Sequence, residues 1–151
     1  MRGVFFDSDL VLRTVAKSKR KLLSRSGAYL RREARQSIRK RKKMSEPGQP
    51  PSSHKGWLKQ HIYFAWDSST ESVVTGPIQL GRGTAPAALE HGGPSLAFRR
   101  FKKANGQWVT EIREIPYIRP RPFMRPAMMR ILPKFAGLFK GQIQGALVNG
   151  G

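Results

Sequence analysis

The sequence predicts an α+β fold: a long basic N-terminal helix, an antiparallel sheet of about four strands, and a C-terminal helix packed on the sheet. Apolar residues have helical spacing near both ends of the chain, and the middle combines alternating apolar residues with turn signals. The length of 151 residues corresponds to one domain. Its predicted segments are a basic helix (8–43), a Pro/Gly-rich loop (44–57), a β-rich section (58–118) with a long loop (78–94), and a proline arm with the C-terminal helix (119–148).

The first predicted helix has an apolar face and a cationic face, and Ser8 or Asp9 can cap its start. At 100° per residue, the apolar face contains Leu12, Val15, Ala16, Leu22, Leu23, Leu30 and Ala34. The cationic face, which we expect to meet a polyanion, contains Arg13, Lys17, Arg20, Arg31, Arg35, Arg39 and Lys42. Residues 13–43 include fourteen basic residues and one acid, Glu33, so ion pairs within the helix cannot offset the repulsion. Gly27 is expected to bend or divide this helix.

The middle of the chain predicts four strands. Alternating apolar residues indicate strands at 58–67 and 71–75, joined by a turn at Ser68 and Ser69. The long loop leaves room for one helical turn at 85–90. Segments 98–102 and 108–115 flank Asn105-Gly106, which is a strong hairpin signal.

The proline arm, residues 119–126, is predicted to be stiff. Pro120 and Pro122 restrict their own φ angles and keep the preceding arginines out of the α region. Pro126 suits the first turn of a helix. The helix that follows has an apolar stripe of Met128, Ile131, Leu132, Phe135, Leu138 and Phe139. Pro133 is expected to kink or restart it.

Three glycines recur every four residues on one face of that last helix: Gly137, Gly141 and Gly145. Two interpretations stay open. The glycines allow a helix from a neighbouring subunit to approach closely, or they leave a loosely held C-terminus, since each glycine costs a helix up to about 1 kcal/mol.

Composition limits the function classes. A net charge of +20 exceeds what solubility needs and favours an anionic partner. The absence of cysteine excludes thiolate chemistry, and we expect neither a signal peptide nor a membrane span. His54, His61 and His91 lack metal-ligand spacing, and Gly81-Arg82-Gly83-Thr84 lacks the lysine of a phosphate loop. We therefore predict a binding protein that is not an enzyme and has no metal or cofactor.

Three segments, taken together, resemble a protein family. The block Arg121-Pro122-Phe123-Met124-Arg125-Pro126-Ala127 is similar to the R-P-F-(L/M)-R-P-A motif of small tail-completion, or head-tail joining, proteins of long-tailed bacteriophages. Pro47-Gly48-Gln49-Pro50-Pro51, with residues 54–62 after it, resembles the family's P-G-x-P-P segment and the T-G-x-L-x-x-S-I that follows. Leu89-Glu90-His91-Gly92-Gly93 resembles its (V/L)-E-x-G-(T/G) turn. The chain departs from the family at Lys55, His61 and Gly93, where Thr, Ser and Thr are common.

The resemblance implies a structural virion protein of the phage neck, assembled in the host cytoplasm as a closed ring, with six-fold symmetry favoured. Its partners would be connector or portal proteins on one side and the tail tube on the other. The implied subunit or partner interface comprises Arg119, Pro120, Arg121, Pro122, Phe123, Met124, Arg125, Pro126, Glu90 and Gly92. Phe123 and Met124 would be interface or core anchors, and the three arginines would pair with carboxylates or backbone carbonyls.

Under this resemblance the cationic face either lines the DNA passage or docks on an acidic protein surface, and the sequence leaves both open. The alternative function is a nonspecific basic nucleic-acid-binding protein, for which charge and size suffice.

Overall fold

The computed structural model of the chain describes residues 8–78 and 85–148. Predictions that concern residues 79–84, including the Gly81 to Thr84 segment, lie outside the described residues. In chain order the elements are α1 (Ser8–Ser37), α2 (Trp57–Gln60), β1 (Ile62–Asp67), β2 (Ser72–Pro77), α3 (Ala85–His91), β3 (Gly93–Lys102), β4 (Trp108–Ile118) and α4 (Met124–Val148).

The α+β class and the four antiparallel strands are confirmed, but the strands form two separate two-stranded sheets. β1 pairs with β2 from Ile62 opposite Pro77 to Asp67 opposite Ser72. β3 pairs with β4 up to Lys102 opposite Trp108. The first hairpin packs on α1, whereas the second contacts α3, so the two hairpins have different supports. The single four-stranded sheet is therefore corrected to two hairpins.

The core lies where α1, β1 and the start of α4 meet. Ala34, near the end of α1, and Ile38, directly after it, pack with Ile62, Phe123 and Ala127, and all five are fully buried. α4 runs along α1, and Ala127 in its first turn brings it against β1. The C-terminal helix thus packs on the long helix as well as on the first hairpin.

Only part of each predicted apolar stripe is buried within the chain. On α1, Leu22 and Ala34 are buried, but Leu12 and Val15 are 66% and 60% exposed. On α4, Ile131 is buried, Phe135 and Leu138 are half-buried, and Met128, Leu132 and Phe139 are exposed. The start of α1 and the outer side of α4 therefore present apolar surface that residues 8–78 and 85–148 do not cover.

α1 ends at Ser37, six residues before the predicted boundary, because the next residues serve the core and the loop. The hydroxyl of Ser37 donates to the Ala34 carbonyl at 2.8 Å, and Ile38 is fully buried. The Arg39 carbonyl then accepts a hydrogen bond from the Ser53 amide at 3.0 Å. The helix predicted over 39–43 is therefore wrong, and Arg39 and Lys42 lie beyond α1.

The other boundaries shift modestly. Residues 57–60 form α2 instead of the start of a strand, with Gly56 before them at φ 78°. The helical turn predicted at 85–90 is confirmed as α3, and β3 begins at Gly93, inside the predicted long loop. α4 continues through Pro133, so it does not restart there. The Asn105-Gly106 turn is confirmed: Gly106 has φ 85°, and the Asn105 Oδ1 accepts from the Gln107 amide at 3.1 Å.

Gly27 permits close packing and does not divide α1, which is continuous from Ser8 to Ser37. A Cβ at this position would overlap Val73 of β2 and lie 3.0 Å from the Phe64 ring of β1. Gly137, in contrast, has open space where a Cβ would be. Gly27 therefore allows the first hairpin to lie directly on the helix.

We expect Gly27→Ala and Gly137→Ala to change stability in opposite directions. Helix propensity alone favours alanine at both sites by up to about 1 kcal/mol. At Gly27 the methyl group meets packed side chains, and we expect a net loss of about 1–3 kcal/mol. Chemical denaturation of both variants measures the difference. Stabilisation by Gly27→Ala would contradict the close packing.

The turn between β1 and β2 gives a pH-dependent prediction. The Ser69 hydroxyl and amide and the Thr70 hydroxyl donate to the Asp67 carboxylate and lower its pKa from 3.8 to about 2. Because the folded pKa is below the ordinary value, this stabilisation is complete above about pH 4 and is lost as the pH falls towards 2. Thermal unfolding should show Asp67→Asn less stable than wild type near neutral pH, with the difference shrinking on acidification. A difference independent of pH would contradict it.

Candidate functional site

The most organised polar arrangement in the described structure is the Glu90 carboxylate at the start of α4. Its Oε2 accepts hydrogen bonds from the amides of Phe123 at 2.8 Å and Met124 at 3.0 Å. Its Oε1 accepts from the Arg125 amide at 2.8 Å. The residues that bind are 33 to 35 positions away along the chain. Glu90 therefore caps a helix to which it does not belong.

This cap satisfies the start of α4 completely. The first amides of a helix have no partner within the helix. Three of them here bind Glu90, and the next residue, Pro126, has no N–H to donate. The first turn of α4 contains no acidic residue of its own, so Glu90 also supplies the negative charge that complements the helix dipole.

Two segments that are distant in sequence from the proline arm, near residues 45–48 and 89–92, are hydrogen-bonded to it. The Pro120 carbonyl accepts a hydrogen bond from the Gly48 amide at 2.9 Å, and the Arg121 amide donates to the Leu89 carbonyl at 2.6 Å. The Arg121 guanidinium donates through Nε to the Ser45 carbonyl at 2.9 Å. Segments near 45–48, 89–92 and 119–125 thus form one hydrogen-bonded unit. Each of these segments overlaps one of the three motifs on which the family resemblance rests.

Gly92 is crowded within this unit. It has φ 80°, and a Cβ there would lie 3.0 Å from the Tyr117 hydroxyl and 3.2 Å from Pro120. The turn predicted from its sequence therefore also allows α3 to lie close to the proline arm.

The predicted interface residues have different surroundings within the chain. Phe123 is fully buried, and Met124 packs against the core. Within the chain, both residues therefore act as core anchors, which is one of the two roles proposed for them. Arg121 binds backbone carbonyls, as predicted. Arg119 and Arg125 are exposed, and their side chains make no hydrogen bond or ion pair within residues 8–78 and 85–148. These two arginines are the accessible charges of the arm.

The cationic face of α1 lies beside β1 along part of its length. The guanidinium groups of Arg20, Arg31 and Arg35 lie over the rings of Trp66, Phe64 and Tyr63, at 5.7, 5.4 and 5.8 Å from the ring centres. Arg13 and Lys17 are exposed. The face that belongs to α1 therefore runs from Arg13 to Arg35, about 33 Å at 1.5 Å per residue, which is shorter than predicted.

Arg35 is held most firmly. Its terminal nitrogen donates to the carbonyls of Gln60 at 2.6 Å and Ile62 at 2.9 Å. These bonds join the helix to the segment that leads into β1. Arg35 is thus a structural residue as well as a member of the cationic face.

Most positive charge in the described structure has no carboxylate partner. Residues 8–78 and 85–148 form two ion pairs, Lys19 with Glu71 and Arg130 with Glu33. The Lys19 hydrogen bond holds the pKa of Glu71 below its ordinary value. Asp67 and Glu90 instead accept bonds from backbone amides, and Asp67 from hydroxyls too. Acids that could neutralise lysine and arginine are therefore used to hold turns and a helix end.

The second hairpin carries exposed apolar side chains that the sequence interpretation did not single out. Leu96, Trp108, Ile112 and Tyr117 are 36% to 63% exposed, and Arg100 lies over the Trp108 ring at 4.9 Å. The sequence did contain a sign of this exposure. Both strands have apolar residues at odd and at even positions, so apolar side chains lie on both faces of the hairpin.

The described residues contain no group of three or more His, Cys, Asp or Glu side chains that could hold a metal ion. None of the helices in the described part of the chain is long and apolar enough to cross a membrane. Gly137 and Gly141 face open space, so neither serves packing within the chain, and the surroundings of Gly145 lie outside what the structure describes.

Comparison of the chain with family models, with curated proteins and with solved structures found no match.

We expect Glu90→Ala to destabilise the chain by about 2 kcal/mol, because two part-buried amides and one exposed amide lose their acceptor. Glu90→Gln, which keeps one acceptor oxygen but no charge, should lose less. Urea unfolding measures the free energy, and amide hydrogen exchange of residues 123–125 measures the local effect.

The matched control is Glu114→Ala, which removes an exposed carboxylate on β4 and should change stability by less than about 0.5 kcal/mol. Equal effects of Glu90→Ala and Glu114→Ala would show that the cap contributes nothing particular.

Proposed function

We propose that this chain is a structural protein of the phage neck, which forms a ring that joins or completes the tail at the head-tail connector around the DNA passage. The observation that supports this most directly is that parts of the other two motif segments are hydrogen-bonded to the proline arm. Segments that resemble one family in sequence, and that bind one another through Gly48, Leu89, Glu90 and Arg121, are expected to share one role.

The geometry of the arm suits an assembly contact. Its backbone is restricted by prolines and hydrogen-bonded to two other segments, so its outer surface can be recognised without a large ordering cost. Arg119 and Arg125 are exposed on that surface. Arg125 is also in the first turn of α4, where the helix dipole disfavours a cation. A cation at this position is better explained by a partner than by helix stability.

Apolar surface left open by the single chain supports the same proposal. Leu12 and Val15 on α1, Met129 and Leu132 on α4, and Trp108 on the second hairpin are all exposed. These patches lie on different elements. A ring needs two different patches on each subunit that fit one another and close by rotation.

A nonspecific nucleic-acid-binding protein remains the second candidate. The observation in its favour is the uncompensated charge of the cationic face. It leaves the organised proline arm without a role, so we rank it below the neck protein.

Sedimentation of the purified chain, alone and mixed with purified tail tubes, tests the proposed assembly. We expect Arg119→Glu with Arg125→Glu to prevent ring formation while leaving thermal unfolding unchanged, because both side chains are exposed and unpaired within the described residues. Glutamate in the first turn of α4 complements the helix dipole, so the fold should tolerate it.

Arg113→Glu with Lys140→Glu is the control, since it makes the same change in net charge at exposed positions outside the arm. If the arm variant assembles as readily as wild type, Arg119 and Arg125 are not part of the interface. A chain that stays monomeric with and without tail tubes would contradict the ring.

A further inference from the structure

A groove beside α1 is lined mainly by positively charged side chains, and two of them, Arg31 and Arg35, belong to the cationic face. It has a volume of about 490 Å³, and the side chains that line it include Arg25, Ala28, Arg31, Arg32, Arg35 and Lys59. None of the lining side chains is a carboxylate. Glu33, the one acid nearby in sequence, pairs with Arg130 of α4. Five cations therefore line one concave surface whose lining contains no carboxylate.

Aromatic rings fix the charged ends of three of these arginines. Arg31 and Arg35 lie over Phe64 and Tyr63 of β1, and Arg32 lies over Tyr29 of α1 at 5.0 Å. Arg35 is held further by the Gln60 and Ile62 carbonyls. Groups that are already ordered lose less conformational entropy when they bind.

We propose that this arginine groove binds the phosphate backbone of duplex DNA. The proposal deepens the proposed function and rests on it for the source of the DNA, since it names the partner of the cationic face. Arginine offers a planar fork of donors that matches two phosphate oxygens at once. Five of the eight lining side chains are cations and one, Gln36, is a side-chain amide, so contacts to phosphate should outnumber contacts to base edges and binding should depend little on sequence.

The groove suits a duplex better than a single strand or an acidic protein. Single-strand binding depends on several rings that stack on successive bases, but Tyr29 is the one aromatic side chain in the groove lining, and Arg32 lies over it. Protein interfaces depend on apolar or aromatic anchors at their centre, and here the rings beside the groove are engaged. Phosphate contact is the chemistry that remains.

The test compares two double variants that remove the same charge. Arg32→Gln with Lys59→Gln changes the groove, and Arg113→Gln with Lys140→Gln changes exposed positions that do not line it. Arg35 is left intact because it holds β1. Fluorescence anisotropy measures binding to a 30-base-pair duplex of arbitrary sequence over a range of salt concentrations, and circular dichroism checks that each variant is folded.

We expect the groove variant to lose roughly 50-fold in affinity at 0.1 M salt, and the slope of log affinity against log salt to fall in magnitude by about 2, because each phosphate contact contributes about 0.9. The control should lose less than about threefold. Equal losses of affinity in the two variants would contradict the proposal that the groove binds DNA. The proposal would also be contradicted if wild type bound a single strand or polyglutamate more tightly than the duplex and the groove variant lost that binding.

Sedimentation without DNA separates this inference from the proposed function. If the chain forms a ring but the groove variant binds DNA as tightly as wild type, the groove proposal is wrong and the neck proposal is unaffected. A chain that binds DNA through the groove but never assembles would support the groove and count against the neck.

Discussion

The Glu90 carboxylate is the interaction on which the arrangement of this chain depends. It fixes where α4 begins, and therefore places Phe123 and Ala127 against Ile38 and Ile62 in the core. Because Glu90 is on α3, the same contact ties the base of the second hairpin to the helix pair. Without it, the amides at the start of α4 would have no partner. The helix could not begin one turn earlier instead, because Pro126 has no N–H to donate to a carbonyl in that turn. One carboxylate on α3 thus reinforces, through hydrogen bonds to the start of α4, the apolar packing of Leu89 against the core.

α1 has a different function on each of its sides. Ala34 and Ile38 face the core, Gly27 lets the first hairpin lie close, and Arg20, Arg31 and Arg35 stack on the rings of that hairpin. The arginines stabilise the packing through their side-chain stems and ring contacts while their charge stays near the surface. A helix with so many basic residues is therefore compatible with a packed fold, because part of the basic surface is also packing surface.

The sequence predicted the features that depend on local chemistry. The proline arm, the Asn105-Gly106 turn, both long helices and the α+β class follow from residue type and spacing over a few positions. The features that were wrong or missed depend on distant contacts. Residues 39–43 are good helix formers by themselves, but the burial of Ile38 and the bond to Ser53 end α1 earlier. The cap by Glu90 was not predicted either, since it joins residues more than thirty positions apart. The lack of Ser, Thr, Asp or Asn before α4 was the available signal that an acid from elsewhere would be needed.

The placement of the acids helps to explain why most lysines and arginines in the described residues have no carboxylate partner. Eight acids lie in the described residues, and those with the best geometry bind amides and hydroxyls instead of cations. If Glu90 or Asp67 paired with lysine, the start of α4 or the first turn would lose its support. Pairing these two carboxylates with lysine or arginine would therefore cost structure, and most cations in the described residues have no carboxylate partner. The positive face and the capped helix are in this sense one feature, because carboxylates are scarce and two of the few that are present hold a helix end and a turn.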